Sequence, residues 1–367
     1  MAEKAIRLGG ESTADAIVSA VDSLYPEHTF EDKEFALKHN DDEIAVDTNF
    51  AAQNFWKEAL IRFFNKKSAV LGLILIVVIV LLAVFGPGMN SYTYSGQDLS
   101  QKNFAPRVPG IERLGILDGS EKMSTTTGSK SVNAYVEKGK DDVYYWFGSD
   151  LYGRDIWTRT WEGARVSLII AVAAAVIDMV IGMSYGLISG YFGGRVDMVM
   201  QRFLEVANGI PRLVIVTLLL LVLQPGMVTI IFALMLTEWV GMSRIARAEM
   251  LKLKDQEFVL ASRTLGAGSF FIIFKEVLPN IIGPIITQVM FSIPTAIFTE
   301  AFLSFVGLGI PVPQCSLGSL ISELYNSFTT HPYQIIPPIV VMSLLMLSFN
   351  LLADGLREAL DPKMKSM

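Results

Sequence analysis

The chain has 367 residues, of which 51% are hydrophobic and only 18% charged, a balance too apolar for a soluble globule of this length. Its single cysteine, Cys315, excludes an internal disulfide, and the separated histidines His28, His39 and His331 have no metal-ligand spacing, so redox and metal chemistry lack support. The net charge of −6 is uneven: of 36 acidic and 30 basic residues, the first 50 positions hold 12 and 4, which makes the acidic surplus a property of one end.

Residues 1–50 have no sustained apolar repeat and carry acidic clusters such as Asp41, Asp42 and Glu43, so they read as a cytoplasmic extension that is partly disordered. In 51–67, Phe55, Trp56, Leu60 and Phe63 or Phe64 recur near helical spacing with Lys57, Arg62, Lys66 and Lys67 around them, as expected of a helix lying along a membrane surface. The uncharged run 68–85 is long enough to be the first transmembrane helix and follows too many residues to be a cleaved signal peptide. Residues 86–165 are polar, with Gly, Ser and Thr runs, and read as an insertion between the first two spans. A five-helix core then occupies 166–353, with apolar segments at 166–188, 196–223, 228–240, 279–303 and 336–353. Arg202, Glu205 and Pro211 make the third of the six spans irregular, and the fourth is short. Residues 354–367 form a tail.

Basic residues orient the bundle. Positions 304–335 and 224–227 contain no Lys or Arg, whereas the loop at about 244–278 carries Arg244, Arg247, Lys252, Lys254, Arg263 and Lys275, and the tail carries Arg357, Lys363 and Lys365. Both termini and that loop are therefore expected in the cytoplasm, and the 86–165 insertion outside; a loop this long crosses regardless of its lysines. No period of 20 to 50 residues argues for a carrier built from repeats.

Within the basic loop, residues 257–279, EFVLASRTLGAGSFFIIFKEVLP, form a polar helix-turn-helix pattern between apolar spans. Glu257, Ala261, Arg263 and Thr264 set small and polar groups along a helix that Gly266 ends, and a second helix begins near Ser269. A small-residue bend of this kind lets a partner's groove approach the backbone. The pattern of Ala261, Ser262 and Gly266, followed by Val277, Leu278 and Pro279, resembles the cytoplasmic motif by which permease subunits of ABC importers grip their ATPases. Four further blocks in register, FGSDLYGRD at 147–155, GYFGGRVD at 190–197, EAFLSFVGLG at 300–309 and FNLLADGLREALDP at 349–362, look like the C-type, second permease subunits of the dipeptide, oligopeptide and nickel importers. The resemblance runs from Phe147 to the C-terminus and leaves the N-terminal extension and the insertion uncovered. Where the family has Glu-Ala-Ala before the glycine, this chain has Leu260, Ala261 and Ser262, with Glu257 three residues earlier.

The resemblance implies an all-α membrane protein with the six transmembrane helices of the type I ABC importer permease fold, a cytoplasmic coupling-helix loop and a large extracytoplasmic insertion after the first helix. It implies ATPase coupling through Glu257, Ala261, Ser262, Arg263, Gly266 and Ala267. The implied partners are a homologous permease forming a heterodimer, one or two ABC ATPase subunits that bind ATP and Mg, an extracytoplasmic peptide-binding protein and the lipid bilayer of a bacterial cytoplasmic membrane, with no nucleic acid. The chain itself has no Gly-x-x-x-x-Gly-Lys-Ser/Thr loop and no pairing that reads as a nucleophile with its base, so it is expected to hold no cofactor and to be no enzyme on its own.

Ionisable groups at membrane depth face protein or water. Asp178 in the second span reads either as a structural partner or as a contact of the translocation path, and Glu300 in the fifth either as a gate or subunit-interface group or as a structural one. Gln288, Ser292, Thr295 and Thr299 give the fifth span a polar stripe that suits a path-lining helix, and Pro279, Pro284 and Pro294 permit bends in it. Gly182, Gly186 and Gly190, at four-residue spacing, read as a packing ridge. The expected cargo is dipeptides or oligopeptides; the same machinery serving nickel or another small solute, and an ATPase-independent channel or ion-coupled carrier using Asp178 and Glu300, are the alternatives.

Overall fold

A computed structural model describes residues 55–125 and 128–360; the extension expected at 1–50 and the end of the tail lie outside the described residues. Helix α1 (Phe55–Asn65) buries Ala59 and Phe63 and leaves Trp56, Leu60 and Phe64 on one exposed stripe, as four-residue spacing on a helix dictates. Helix α2 (Lys67–Phe85) follows directly. Its last turn has carbonyls without helical partners, and the next long helix supplies them: the Arg165 guanidinium donates to the carbonyls of Ala83 and Val84, each at 2.9 Å. Just beyond, Trp157 Nε1 donates at 2.9 Å to the Gly86 carbonyl, which also accepts the Met89 amide.

That next helix, α3 (Ile156–Ile177), begins ten residues earlier than the apolar run at 166 suggests. The cause is Asp155, whose carboxylate accepts from the Thr158 amide at 2.8 Å and hydroxyl at 2.6 Å and so caps the start, while the charges on Arg159, Glu162 and Arg165 that mask the helix in sequence are paired. A π turn (Asp178–Gly182) carries α3 into α4 (Met183–Phe192), a continuous run of 37 residues.

Helices α5 (Gly194–Gly209) and α6 (Arg212–Val222) are separated where Pro211 holds Ile210 extended, and the two axes differ by 74°. Helices α7 (Met227–Thr237) and α8 (Trp239–Leu253) run on as one stretch of 27 residues, longer than the apolar 228–240, because the basic residues after 240 remain helical. After the short helix α9 (Glu257–Thr264), a turn at Ser269–Phe271 and a π segment (Ile272–Val277) lead into α10 (Leu278–Leu303), which another π segment (Ser304–Leu308) closes; Pro284 and Pro294 lie inside α10 without ending it. Helix α11 (Leu317–Tyr325) and helix α12 (Ile336–Leu360) complete the order. Among the described residues, five stretches are long and apolar enough to cross a membrane, and the bent α5–α6 pair makes six when counted as one broken span.

Because lipid is as apolar as leucine, these helices gain by close approach rather than by burial from water. Gly182, Gly186 and Gly190 form the closest seam: a β-carbon on Gly186 would sit 2.1 Å from the Ser243 carbonyl oxygen, one on Gly182 2.6 Å from that of Trp239, and one on Gly190 2.8 Å from the Met250 Cβ. Backbone of α4 therefore lies directly on α8. Around the seam, Leu187, Met242, Met250, Val259, Ile272 and Ile281 form one buried apolar cluster, and at the other end of the bundle Trp161, Ile170, Leu234, Ile297, Leu317 and Leu345 anchor a second.

Residues 86–155, between the first two long helices, have their own small core of Phe104, Tyr135 and Tyr145 beneath an antiparallel hairpin, β1 (Ser120–Thr125) and β2 (Gly128–Asn133), in register Ser120↔Asn133. Four charges fasten this segment to the bundle. Arg154 Nε meets Asp150 Oδ2 at 2.6 Å, Arg159 Nη1 meets the same oxygen at 2.7 Å, Arg159 Nη2 meets Glu323 Oε2 at 2.7 Å, and Arg154 also pairs with Glu323. The cluster sums to zero charge, which is the condition for burying Arg159 completely. Burial works against the Glu323 carboxylate, but the two guanidiniums outweigh it and hold its pKa below the ordinary glutamate value.

Two measurements follow. Gly186→Ala is expected to cost about 1–3 kcal/mol by overpacking the α4–α8 seam, whereas Gly241→Ala, on α8 with nothing within 4 Å, is expected to be neutral or to gain up to about 1 kcal/mol of helix propensity; melting temperatures of the purified variants in detergent decide, and equal values would remove the seam from the account. Glu323 has a depressed folded pKa, so its stabilisation is complete above the unfolded carboxylate pKa of about 4.3 and is lost as pH falls through the lower folded one. The melting temperature of Glu323→Gln should accordingly lie below that of the parent at pH 7, with the gap closing below about pH 4; a gap independent of pH contradicts the charge assignment.

Candidate functional site

The α9 bend is a helix stop of defined chemistry. The amide of Ala267 donates to the Ser262 carbonyl at 3.0 Å and that of Gly266 to the Arg263 carbonyl at 3.1 Å, a doubly bonded C-cap that needs a left-handed residue, and Gly266 supplies it with φ +82°. Helix α9 touches the bundle through few groups. Val259 is buried in the apolar cluster of α4, α8 and α10, and the Arg263 guanidinium lies 5.5 Å from the Tyr191 ring centroid at the end of α4.

The opposite side is bare. Glu257, Leu260, Ala261 and Gly266 are exposed, Ser262 and Ala267 are half-buried, and Leu265 at the tip is 88% exposed. Small side chains around one projecting leucine, with Glu257 and Arg263 beside them, make a surface that a complementary groove can approach down to the backbone. All six residues expected to couple thus lie on or next to one bend.

The expected membrane-embedded residues divide into separate groups. Asp178, buried at the start of the π turn between α3 and α4, accepts a short hydrogen bond from the Ser292 hydroxyl of α10. Ser292 lies one turn from Gln288, whose carbonyl also takes its hydroxyl at 3.2 Å. Thr295 is exposed and returns its hydroxyl to the Phe291 carbonyl at 2.9 Å; Thr299 is buried, returns its own to Thr295 at 2.8 Å, and stands 3.5 Å from Glu238 of the α7–α8 junction. These i−4 bonds satisfy the threonine hydroxyls within the helix.

Glu300 belongs to a different network. Its carboxylate accepts from Ser304 at 2.7 Å, from Ser316 at 2.5 Å and from Ser167 at 3.3 Å, which ties α10 to α3 and to the cap of α11, where Ser316 and Ser319 form a reciprocal capping box. Gln288 and Thr295 keep an open aspect on α10; Glu300 is fully buried. Among the described residues, no group of three or more His, Cys, Asp and Glu side chains is arranged to hold a metal ion.

Sequence reasoning missed Glu238, the Asp150–Arg154–Arg159–Glu323 cluster, and the ion pair of Asp197 with Arg247. The i, i+4 spacing of Asp150 and Arg154 was a signal for part of the cluster. Its other carboxylate lies 164 residues from Arg159, beyond the reach of local spacing.

Comparison with known proteins places this architecture. Residues 182–366 match the family described as binding-protein-dependent transport system inner membrane component, and residues 54–106 match the N-terminal TM domain of oligopeptide transport permease C. The oligopeptide transport system permease protein OppC of Bacillus subtilis is 42% identical over 312 residues, covering 85% of this chain and 91% of that protein. The dipeptide transport system permease protein DppC of the same species is 38% identical over 335 residues (91% of this chain, 94% of that protein), and that of Lactococcus lactis 41% over 318 (85% and 92%). Among solved structures, an inward-facing MetNI methionine ABC transporter chain superimposes with a TM-score of 0.47 at 16% identity, covering 55% of this chain and 96% of that one. With one matched region spanning the helices from α4 to α12 and another spanning α1 and α2, the chain belongs to the family of inner membrane components of binding-protein-dependent transport systems.

Proposed function

We propose that this chain is one of two membrane subunits of an ATP-driven importer of oligopeptides or dipeptides, working with a homologous permease, ABC ATPase subunits and an extracytoplasmic peptide-binding protein in the cytoplasmic membrane. The observation that carries the reading is the 42% identity to an oligopeptide permease over 85% of the chain. Both termini and the α9 bend lie in the cytoplasm on this reading, as the Lys and Arg bias favours, and residues 86–155 lie outside.

The mechanism follows from the bend. ATP-driven closure of the ATPase pair moves the groove that holds Leu265 and the Ala261–Gly266 surface. Val259 and Arg263 pass the displacement to the α4–α8 seam, and the bundle exchanges an inward-facing for an outward-facing arrangement. Gln288 and Thr295 on α10 line the path, with Asp178 and Ser292 behind them setting its wall; Thr299 and Glu300 position α10 against its neighbours. Cargo selection rests mainly with the binding protein, and the path has only to accept polar backbones of varied sequence.

Three coordinated outcomes test this. In cells lacking their own peptide permeases, the chain expressed with its neighbouring permease, ATPases and binding protein should restore uptake of a labelled oligopeptide and co-purify with them; uptake without ATPase partners would refute it. Gly266→Val should cut uptake by about 5- to 30-fold, the equivalent of the roughly 1–2 kcal/mol that a side chain pays in the left-handed region. Membrane insertion should be unchanged, and normal uptake in that variant would contradict the coupling assignment.

A further inference from the structure

Helix α5 leaves α4 through Gly193 and Gly194, with φ of +61° and +52°. The ψ of −162° at Gly193 lies in a region open essentially to glycine alone, and Gly194 has open space where a side chain would be, so the pair serves chain reversal rather than packing. One turn beyond this joint, the Asp197 carboxylate is gripped from α8: Arg247 Nε reaches Oδ1 at 2.6 Å and Nη2 reaches Oδ2 at 2.5 Å, a two-pronged pairing that fixes orientation as well as distance. The Ser189 hydroxyl of α4 donates to the same carboxylate at 2.5 Å, and Gln201 donates to Ser189 at 3.1 Å.

Arg247 lies in the section of α8 that packs against Gly186 and Gly190, since its amide and carbonyl border the two glycines, and α8 runs on from there to Leu253, after which α9 begins at Glu257. Lys254, at the end of α8, adds a second positive charge near Asp197, and the neutral contacts of α5 lie further along it. Tyr185 donates to the Met200 carbonyl at 2.7 Å, and Leu204 packs with Trp239 and Val240, about 10 Å beyond Asp197 at 1.5 Å per residue. Without Arg247, the first turn of α5 keeps the Ser189 hydroxyl and the less directional attraction of Lys254, and it can pivot about Gly193–Gly194 with the contacts further along as fulcrum.

We propose that Asp197 and Arg247 are a positioning pair that makes α5, and through it the bent α6, follow the coupling helix, so that nucleotide-driven movement at α9 reaches the membrane helices instead of being absorbed at the glycine joint. The proposal rests on the ATP-driven importer reading above. It predicts uncoupling rather than collapse. In the complete complex reconstituted in liposomes, Arg247→Gln and Asp197→Asn should each lower peptide taken up per ATP hydrolysed by roughly fivefold or more, the low end of ordinary coupling energies, while ATPase activity and subunit stoichiometry stay near those of the parent. Arg247→Lys, which keeps the charge but loses the fork, should fall between, and the neutral double variant should be no worse than either single one because the two groups act as a unit.

A second readout needs no cargo. Spin labels on Val199 of α5 and Ala248 of α8, in a Cys315→Ser background and in lipid nanodiscs, should give one narrow distance distribution with the pair intact, in both nucleotide-free and ATP-bound complexes, and a broadened one in Arg247→Gln. Equal losses of uptake and ATPase activity, disassembly of the single variants, additive effects in the double variant, or a distance distribution unchanged by Arg247→Gln would overturn the proposal. A parent complex that hydrolyses ATP without importing peptide would instead sink the cargo reading, and the label distances would still decide the role of the pair.

Discussion

Helices surrounded by hydrocarbon have no reason to adhere except what they gain by touching, and contact is closest where one of them carries no side chain. The Gly182–Gly186–Gly190 seam meets that condition against α8, and much of the architecture depends on it. It fixes the direction in which α8 leaves the bundle, and α9 follows α8 after only three residues. Helix α9 is thereby held against the end of α4, with Val259 used for attachment and Arg263 resting on Tyr191. Having spent that side on the bundle, α9 has only its other side to present, which is why Leu260, Ala261 and Leu265 point away.

Charge is handled differently at the ends of the helices and along them. At the ends it is held in ion pairs: the Asp150–Arg154–Arg159–Glu323 cluster at one, the Asp197–Arg247 pair at the other. Between them, Asp178 and Glu300 are held by serine hydroxyls that reach across from other helices. Both carboxylates occur where the α-helical repeat is interrupted. Asp178 opens one π turn, and Glu300 bonds Ser304, which opens another. An inserted residue weakens the local ladder; Glu300, with three serine donors, restores rigidity at its segment, while Asp178 ties its turn to α10 through Ser292 alone.

How much of this was legible depended on the range of each interaction. The four-residue glycine repeat and the bend at Gly266 could be read directly, because packing period and left-handed backbone are local demands, and the helix stop at 266 sits where the sequence put it. Pro211 announced the break between α5 and α6 for the same reason, although not its 74° angle. The first turns of α3 were illegible. Arg159 and Arg165 resemble solvated loop until Glu323, Asp150 and the open carbonyls of α2 are brought beside them, and those partners are supplied by tertiary structure. The polar stripe on α10 was visible as a pattern, but four-residue spacing could not reveal that Thr295 and Thr299 turn their hydroxyls back on their own helix.

That last detail bears on what the α10 face can select. Hydroxyls already bonded within the helix offer little directional affinity to a passing solute, and the exposed neighbours Phe298 and Phe302 offer none. Gln288 remains as the group on this face with an amide to spare. A wall so sparing in fixed donors holds no particular side chain tightly, and tight holding would slow release on the far side. On the proposed reading this is the property required of a path for peptides of many sequences: discrimination occurs before entry, direction is imposed through α9, and the membrane helices contribute a surface that binds weakly enough to let go.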